Sequence, residues 1–435
     1  MPIKKLNATN KRIARVAFVF MNNNCLPVGK GAGYVIGAIL EAGFPVTFYD
    51  TSLKSVGSIA ADVIRQPFDV LMISTMSQFF PEVIKFAKKV KRHRDIPILI
   101  GGIHPTSVGK TLLEKHPEID FLCIGEGESM VVDFLNHLGT ESLFEIQNLA
   151  YRSGSRPVVN TLRFPENLEK LPAFPWHKFE KDAKYTGPNI TGPIITASRG
   201  CPYKCTFCGN SVYLQHYGKA YLRFRPISHV IDELSMLAKN YSVSCFYFSD
   251  EMMLSNSEYV CELLKAVKRL NIKYFLQGRT EWVNGKLVET LKDTGCAKFF
   301  TGVECGNEKF RKKHLNRHMS NKQIMSAFSL LRKAGIAAVS GNMIGFPFEE
   351  DRRLTKETIE FNLALRPAYA SFNIFYPYPG TELHKYCIDN DLIDPVKEAN
   401  YTRDQDSILK GITVKKQIAN IVMFLNHKLY KFRKQ

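Results

Sequence analysis

The chain has 435 residues, of which 45% are hydrophobic and 23% are charged. These proportions match an ordinary globular protein and exclude a wholly disordered chain, and the length predicts more than one domain. The net charge of +18 comes from scattered lysines and arginines, which favours a solvated surface over a specific nucleic-acid site. No apolar run reaches the roughly 18 residues of a membrane span, and no cleavage site follows the basic N-terminus, so the sequence predicts a cytoplasmic protein.

Short apolar segments alternate with helical patterns in the first third of the chain. We predict strands at 13–20, 46–49, 70–74, 98–101 and 121–124, with helices between them. This alternation predicts an α/β fold in which residues 1–149 form a doubly wound, Rossmann-like parallel sheet. Such sheets bind their ligands beyond the carboxyl ends of the strands.

Glycine and small polar residues follow four of these strands. They are Asn22–Asn24 with Gly29, Gly31 and Gly33; Ser74 and Thr75; Gly101 and Gly102; and Gly125, Glu126 and Gly127. Glycine lets a ligand approach the backbone closely, although a single turn of this kind is better explained as a tight connection without a ligand. Four such turns in one domain predict a ligand site at this edge of the sheet.

A proline-rich segment separates the two halves, and we predict a linker over residues 150–192. Six further strands are predicted at 194–198, 245–249, 274–278, 299–304, 337–344 and 371–376. Six strand–helix units favour a partial (β/α)6 barrel of the TIM type over residues 193–395. Residues 396–435 predict a helical extension. Its basic amphipathic helix suits either a membrane surface or the second domain as its packing partner.

Three cysteines stand close together after the first strand of the second half. Cys201, Cys205 and Cys208 lie in the segment SRGCPYKCTFCG. Zinc sites usually have four ligands, and neither a second cysteine pair nor a nearby histidine completes such a set. Three thiolates on an iron–sulfur cubane would instead leave one iron open to a reactant. Cys245 and Cys296 stand singly in apolar segments and are interpreted as structural.

The pattern C-x-x-x-C-x-aromatic-C, with Phe207 as its aromatic residue, resembles the signature of the radical S-adenosylmethionine (SAM) enzymes. The segments FYFSDEMML, FTGVECGN, LNRHMSNKQ, GNMIGFPFEED and YPYPGTEL also resemble segments of that family. The resemblance implies that the three cysteines bind a [4Fe–4S] cluster. It also implies that SAM binds the open iron and that the reduced cluster cleaves SAM to a 5′-deoxyadenosyl radical. One departure is Phe348, which stands where the family usually has glycine.

The resemblance further implies which side chains contact SAM. They are Phe207, Asp250, Glu251, Glu304 and Arg317. The alternatives are ordinary ones, because a carboxylate at a strand end is often only a helix cap and an arginine is often only solvated.

Three segments of the first domain, ISTMSQ, ILIGGIHPTS and DFLCIGEGES, resemble the cobalamin-binding domain of the largest radical SAM class. The resemblance implies cobalamin contacts at Ser74, Thr75, Gly101, Gly102, His104, Gly125, Glu126 and Gly127. His104 is interpreted as a contact to a phosphate or to the corrin edge, with a plain turn histidine as the alternative. The second strand ends in Asp50-Thr51-Ser52, without the histidine that binds cobalt in classical cobalamin domains. Cobalamin would then be bound without a histidine ligand, or the domain has lost its cobalamin.

The resemblance implies a cobalamin-dependent methyltransferase that acts on an unactivated carbon of a small-molecule or lipid-like substrate. Its electrons would come from a donor such as flavodoxin or ferredoxin. The alternative is a radical SAM enzyme that cyclises, oxidises or couples carbons without methylation, with or without cobalamin. A non-catalytic corrinoid or iron–sulfur sensor is a third class, and the complete cluster loop argues against it. Methylthiotransferases would require three more cysteines near the N-terminus, which Cys25 alone does not supply.

Overall fold

The chain folds into two large β-sheets with helices packed around them. The computed structural model describes residues 13–21, 29–184, 192–399, 406–413 and 415–434. Cys25, Asn22–Asn24 and part of the predicted linker lie outside the described residues.

The first sheet has seven strands in the order β2-β1-β3-β4-β5-β6-β7. The strands are β1 (Val16–Phe20), β2 (Val46–Asp50), β3 (Val70–Ser74), β4 (Ile98–Gly101), β5 (Phe121–Cys123), β6 (Leu149–Ser153) and β7 (Arg156–Val159). The helices are α1 (Lys30–Glu41), α2 (Val56–Arg65), α3 (Phe80–His93), α4 (Ile103–Val108), α5 (Thr111–Lys115) and α6 (Glu128–His137). Strands β1 to β5 are parallel, which confirms the predicted doubly wound sheet. Its strand order reverses between β1 and β3, so a ligand is expected beyond their carboxyl ends.

The predicted linker is partly structured. Strands β6 and β7 form a hairpin that extends the first sheet in antiparallel fashion to Val159, past the predicted boundary at residue 149. Between the hairpin and the short helix α7 (Glu180–Ala183), three aromatic side chains of the segment are buried: Phe174, Trp176 and Phe179. They belong to a hydrophobic core that runs from the first sheet into the second domain. The segment therefore joins the two domains through a shared core rather than as a solvated spacer.

The second sheet has six strands in the order β15-β14-β13-β12-β11-β8, all of them parallel. The strands of this half are β8 (Ile194–Ile195), β9 (Ser198–Arg199), β10 (Arg223–Phe224), β11 (Cys245–Phe248), β12 (Lys273–Gln277), β13 (Cys296–Glu304), β14 (Ala337–Ile344) and β15 (Tyr369–Ile374). The helices are α8 (Asn210–Tyr217), α9 (Ile227–Tyr241), α10 (Ser257–Lys268), α11 (Gly285–Asp293), α12 (Glu308–His314), α13 (Asn321–Lys333), α14 (Asp351–Leu365), α15 (Glu382–Asp389), α16 (Pro395–Ala399) and α17 (Lys415–Lys434).

All six predicted strands of the second half are present, and the first is split into β8 and β9. Strand β9 pairs with β10 in a small separate sheet. Within the described residues, the outer strands β8 and β15 each pair with one neighbour only, so closure into a partial barrel stays a prediction.

The C-terminal helix α17 packs on the second domain. Leu425 and Leu429 are buried against Ala370 and Phe372 of β15. The apolar face of the predicted amphipathic helix is therefore used in packing. Within the described residues no helix is long and apolar enough to cross a membrane.

Candidate functional site

The three clustered cysteines lie in the loop between β9 and α8, at the carboxyl end of the first strand of the second sheet. The chain that leads into this loop is held by Asp250, which follows β11. Its Oδ1 accepts hydrogen bonds from the backbone N–H of Ala197 at 2.9 Å and from the hydroxyl of Ser198 at 2.5 Å. The loop itself is anchored by Thr206, whose hydroxyl donates to the carbonyl oxygen of His314 at 2.6 Å. The loop is therefore fixed by residues far along the chain.

The donor set of this loop, three cysteines and no histidine, suits a cluster better than a single zinc ion. Among the described residues, no three His, Cys, Asp or Glu side chains converge on one point that an ion would occupy. The thiols of Cys201, Cys205 and Cys208 are nevertheless close enough to influence one another electrostatically. A cubane binds each thiolate through a different iron, so its ligands surround a larger volume than those of zinc. The residues present therefore fit a [4Fe–4S] cluster.

Burial keeps two of these thiols protonated before metal binds. It raises the pKa of Cys201 to about 11 and the pKa of Cys208 to about 12. A thiolate is the form that binds iron, so assembly of the cluster must release protons from this loop.

Glu304 and Arg317 form a pair beside the cysteine loop. Glu304 ends β13 at an irregularity in the strand register and has a φ of 66°, which is uncommon for a residue with a side chain. Its Oε1 lies 3.6 Å from Nη1 of Arg317. Burial raises the pKa of Glu304, and the charge of Arg317 opposes that rise. A Cβ on Gly302 would lie 1.9 Å from the Glu304 carboxylate, so a larger residue at this position would displace that carboxylate.

Several buried polar atoms around this loop have no hydrogen-bond partner within the described part of the chain. They are Oδ2 of Asp250, Oγ1 of Thr280, Oε2 of Glu281 and Nε of Arg317. Buried polar atoms in proteins are normally hydrogen-bonded, so unpartnered ones at strand ends indicate a polar ligand. Burial also raises the pKa of Asp250 to about 7. This donor and acceptor set fits SAM, which carries an amino group, a carboxylate and ribose hydroxyls.

The remaining predicted SAM contacts occupy different surroundings. Phe207 is partly buried and packs on the apolar cluster around Phe346 and Phe375. Glu251 accepts a hydrogen bond from the backbone N–H of Gly200 at 3.3 Å and lines a cavity at the domain interface.

This interdomain cavity has a volume of about 250 Å³. From the first domain it is lined by the carboxyl ends of β3, β4 and β5 and by the start of α1. The lining residues include Ser74, Gly101, Gly102, Gly125, Glu126 and Gly127. From the second domain it is lined by Ser198, Arg199, Tyr213, Tyr221 and Glu251. The glycine-lined edge of the cavity offers backbone without side chains, which fits the edge of a broad, flat ring.

Glu126 carries an ion-pair network across the rim of this cavity. Its Oε1 lies 3.4 Å from Nη1 of Arg199, and its carboxylate also contacts Arg223. Arg199 reaches a second carboxylate, Glu128, at 2.6 Å. Burial alone would raise the pKa of Glu126, but the two arginines hold it below its usual value. The predicted cobalamin contact at Glu126 is therefore already engaged with the second domain.

Two of the predicted cobalamin contacts do not line this cavity. His104 is buried with Nδ1 3.0 Å from the hydroxyl of Ser77, packs on Phe80 and is absent from the cavity lining. Thr75 is buried beneath Gly102 and is likewise absent from the lining. Ser52 lies two residues after the end of β2, one strand away from the point where the order reverses, and its N–H donates to the Asp50 carboxylate at 2.7 Å.

Two arginines of this site, Arg199 and Arg279, were not predicted from the sequence. Arg199 stands in the quoted segment SRGC, but its acidic partners lie in the other domain. Arg279 follows β12, and its Nη1 lies 3.4 Å from the sulfur of Cys205. The only local signal was a Gly-Arg pair at the end of a predicted strand.

Two family models match the chain. A model for the radical SAM superfamily matches residues 195–360, and a model for the B12 binding domain matches residues 26–135. Together they cover more than half of the chain and divide it as the two sheets do.

Curated relatives and solved structures agree with these models. An uncharacterized methyltransferase from Pyrococcus horikoshii is 28% identical over 325 residues, which are 74% of this chain and 69% of the relative. An anaerobic magnesium-protoporphyrin IX monomethyl ester cyclase from Cereibacter sphaeroides is 25% identical over 324 residues, 70% of this chain and 50% of the cyclase. The structure of TsrM, a radical SAM methyltransferase from Kitasatospora setae with cobalamin and a [4Fe–4S] cluster bound, shares the fold. The match covers 87% of this chain and 75% of the TsrM chain, with a TM-score of 0.69 and 15% sequence identity.

A radical SAM domain works with a [4Fe–4S] cluster and SAM, and a B12-binding domain works with cobalamin. The cysteine loop and the glycine-lined edge are the places in this chain that suit them. The chain is therefore an enzyme of the radical SAM superfamily, in the class that carries an N-terminal B12-binding domain.

Proposed function

We propose that this enzyme is a cobalamin-dependent methyltransferase that adds a methyl group to an unactivated carbon of a small-molecule or lipid-like substrate. The observation that carries the proposal is the interdomain cavity. It is lined on one side by the glycine-rich edge of the B12-binding domain and on the other by Arg199 and Glu251, which adjoin the cysteine loop. A substrate in this cavity would lie between the two cofactor sites. The Pyrococcus relative, named a methyltransferase, supports the same chemistry.

When bound, the cluster with SAM supplies a 5′-deoxyadenosyl radical, and cobalamin supplies the methyl group. The chain's own residues bind and orient these cofactors and exclude water from the site. Cys201, Cys205 and Cys208 would hold the cluster, and Glu304 and Arg317 would orient SAM through its hydroxyl and carboxylate groups. The glycines of β4 and β5 would hold the corrin edge, and the Glu126 ion pairs would fix that edge relative to the cluster.

A non-methylating radical SAM reaction is the second candidate, because the Cereibacter relative is named a cyclase. The chain spans half the length of that relative. The two candidates differ in the fate of SAM. Methylation through cobalamin consumes SAM as a methyl donor as well as a radical source, whereas cyclisation consumes it only as a radical source.

The decisive experiment is anaerobic expression with excess cobalamin, reconstitution with iron and sulfide, and mass spectrometry of the products formed under a low-potential reductant. Methylation predicts bound corrinoid, both 5′-deoxyadenosine and S-adenosylhomocysteine, and a substrate heavier by one methylene unit. 5′-Deoxyadenosine without S-adenosylhomocysteine would favour the cyclase-like alternative. An extract of small molecules and lipids provides the candidate substrates, with methyl-deuterated SAM as the label.

Cysteine variants supply the matched control. Cys205→Ala should lose the visible absorbance of the cluster and both SAM-derived products, because a cubane ligand is missing. Cys261→Ala changes a partly buried thiol on α10, away from the loop, and should leave both unchanged. A full iron complement in Cys205→Ala would contradict the assignment of the cluster loop.

We also propose that any membrane contact of this enzyme runs through the outer face of α17. Met423 and Phe424 are 69% and 47% exposed, and Lys428 lies 5.8 Å from the Phe424 ring centroid. Two apolar side chains beside a cation suit the surface of an anionic bilayer. Co-sedimentation with anionic vesicles should fall in a Met423→Ser, Phe424→Ser variant. Equal sedimentation of variant and unmodified enzyme would contradict the contact.

A further inference from the structure

The guanidinium group of Arg279 points at one cysteine of the cluster loop. Arg279 follows β12 and is 7% exposed. Its Nη1 donates to the sulfur of Cys205 at a distance of 3.4 Å, and its Nη2 lies 3.9 Å from the sulfur of Met319. The Arg279–Cys205 contact joins two residues that are 74 positions apart in the chain.

Two neighbours, Glu281 and Tyr203, hold this arginine in one orientation. Its Nε and Nη2 donate to Oε1 of Glu281 at 3.1 and 2.5 Å. The plane of Tyr203 lies under the guanidinium, with 3.7 Å between the central carbon and the ring centroid. The Tyr203 hydroxyl in turn accepts a hydrogen bond from the indole N–H of Trp282 at 2.9 Å. Because Tyr203 lies between Cys201 and Cys205, the loop that carries the sulfur also carries the surface on which the arginine rests.

Cys205 differs from the other two cysteines in this respect. A second guanidinium, that of Arg317, lies 3.9 Å from the same sulfur through its Nη1. Within the described ranges no side-chain donor lies at comparable distance from the sulfurs of Cys201 or Cys208, whose sulfurs interact with the backbone of Tyr203 and Asn210. Positive charge and N–H donors are therefore concentrated on one ligand of the cluster.

We propose that Arg279 is a positioning residue that raises the reduction potential of the [4Fe–4S] cluster through its hydrogen bond to the Cys205 thiolate. Reduction adds one electron, taken from a low-potential one-electron donor such as reduced flavodoxin, and no atom is transferred. The added negative charge spreads onto the sulfur ligands, so a fixed cationic N–H donor stabilises the reduced form more than the oxidised form. SAM cleavage begins from the reduced form, and Arg279 would make that form accessible to the donor.

The test is an electron paramagnetic resonance titration of the reconstituted cluster, without cobalamin or substrate. Arg279→Gln removes the charge and the guanidinium donor. We expect at least tenfold less reduced cluster at a fixed applied potential, which for one electron corresponds to a midpoint lower by about 59 mV. Arg279→Lys keeps the charge but not the fork, and its midpoint should stay below that of the unmodified enzyme. Arg269→Gln removes an exposed arginine of the same domain and should leave the midpoint unchanged.

The proposal is overturned if Arg279→Gln carries a full cluster with an unchanged midpoint, or if Arg269→Gln shifts the midpoint equally. A midpoint in Arg279→Lys equal to that of the unmodified enzyme would show that charge alone sets the potential, without the directed hydrogen bond, and would also overturn the proposal. If the Gln variant does not assemble a cluster, the Lys variant decides, since an unchanged midpoint there contradicts the proposal. None of these readings depends on methyl transfer, so failure of the proposed reaction and failure of this inference are distinguishable.

Discussion

Replacing Glu126 with glutamine tests whether the ion pairs at the cavity rim hold the two domains together. Glutamine keeps the size and shape of the side chain and removes its charge. In Glu126→Gln the guanidinium of Arg223 loses its carboxylate partner, and Arg199 keeps only Glu128 at 2.6 Å. The expected result is a lower free energy of unfolding with little change in packing.

The size of the loss follows from the burial of the pairs. The side chains of Glu126, Arg199 and Arg223 are only 18%, 15% and 11% exposed. Two unit charges at the 3.4 Å of the Glu126–Arg199 pair attract by about 5 kcal/mol at an effective dielectric constant near 20, before desolvation is subtracted. Exposed pairs contribute about 0–1 kcal/mol, and breaking a fully buried pair costs about 3–5 kcal/mol. We therefore expect Glu126→Gln to cost about 2–4 kcal/mol, because Arg199 keeps one partner.

The pH dependence of this loss has a definite sign. The folded-state pKa of Glu126 is lowered, so its contribution is present above the unfolded-state pKa of a glutamate, near 4.3. The contribution disappears as the pH falls through the folded-state pKa. The stability difference between the unmodified enzyme and Glu126→Gln should thus be constant near neutral pH and shrink below about pH 4. Other buried carboxylates cancel in this difference because both proteins have them.

The assay is urea unfolding of the cofactor-free protein, followed by the fluorescence of Trp176 and Trp282. A double-mutant cycle with Arg223→Met should give a coupling energy of about 1–3 kcal/mol. Glu141→Gln changes an exposed glutamate of the same domain and serves as the control. A loss below about 0.5 kcal/mol in Glu126→Gln, the range of an ordinary surface change, would refute the reasoning.

Three further changes have defined outcomes. Arg317→Ala should weaken SAM binding by about 1.5–3 kcal/mol in titration calorimetry. Arg317→Lys should restore only part of the lost affinity, because lysine lacks the planar two-pronged guanidinium. Unchanged affinity in Arg317→Ala would mean that another residue contacts the SAM carboxylate. Gly102→Ala places a Cβ 2.5 Å from a neighbouring carbonyl oxygen at a φ of 105° and should lower the melting temperature more than Gly109→Ala, where the φ is 68° and no atom lies within 4 Å. Leu425→Ala should cost about 2–5 kcal/mol in urea unfolding if α17 is part of the second domain, whereas Met423→Ala should stay within about 0.5 kcal/mol.

Buried parallel strands were the elements that sequence patterns located best. Strands β3, β4 and β14 have the bounds predicted for them, because such strands are apolar runs bounded by small residues. The hairpin of β6 and β7 was missed because its residues are half-exposed and Pro157 lies within it, which argues against a strand except at a sheet edge. Strand β7 is indeed the outermost strand of the sheet. Edge position is a tertiary property, and the local sequence does not contain it.

The parts of the site differ in the same way. Cys201, Cys205 and Cys208 share one loop, so their spacing alone predicted that they act together. The local sequence does not predict which side chains of a turn face the ligand. His104 follows the same glycine pair that lines the cavity, yet its ring turns to Ser77 and Phe80 inside the first domain. The sequence could identify the strand ends but not the direction of each side chain.

The interdomain cavity depends on contacts that no single segment contains. Its two walls belong to different domains, and two features set their separation. The aromatic side chains of Phe174 and Trp176 continue the core of the first sheet into the second domain, and this apolar packing joins the two domains. The Glu126 ion pairs connect them at the cavity rim. In the proposed reaction a radical and a methyl group must meet on one carbon, which requires cofactors held at a constant separation. The apolar core and the charged rim together would supply that separation. Charged pairs at the rim also remain compatible with entry of a ligand, because water can replace a broken pair there at lower cost than in the core.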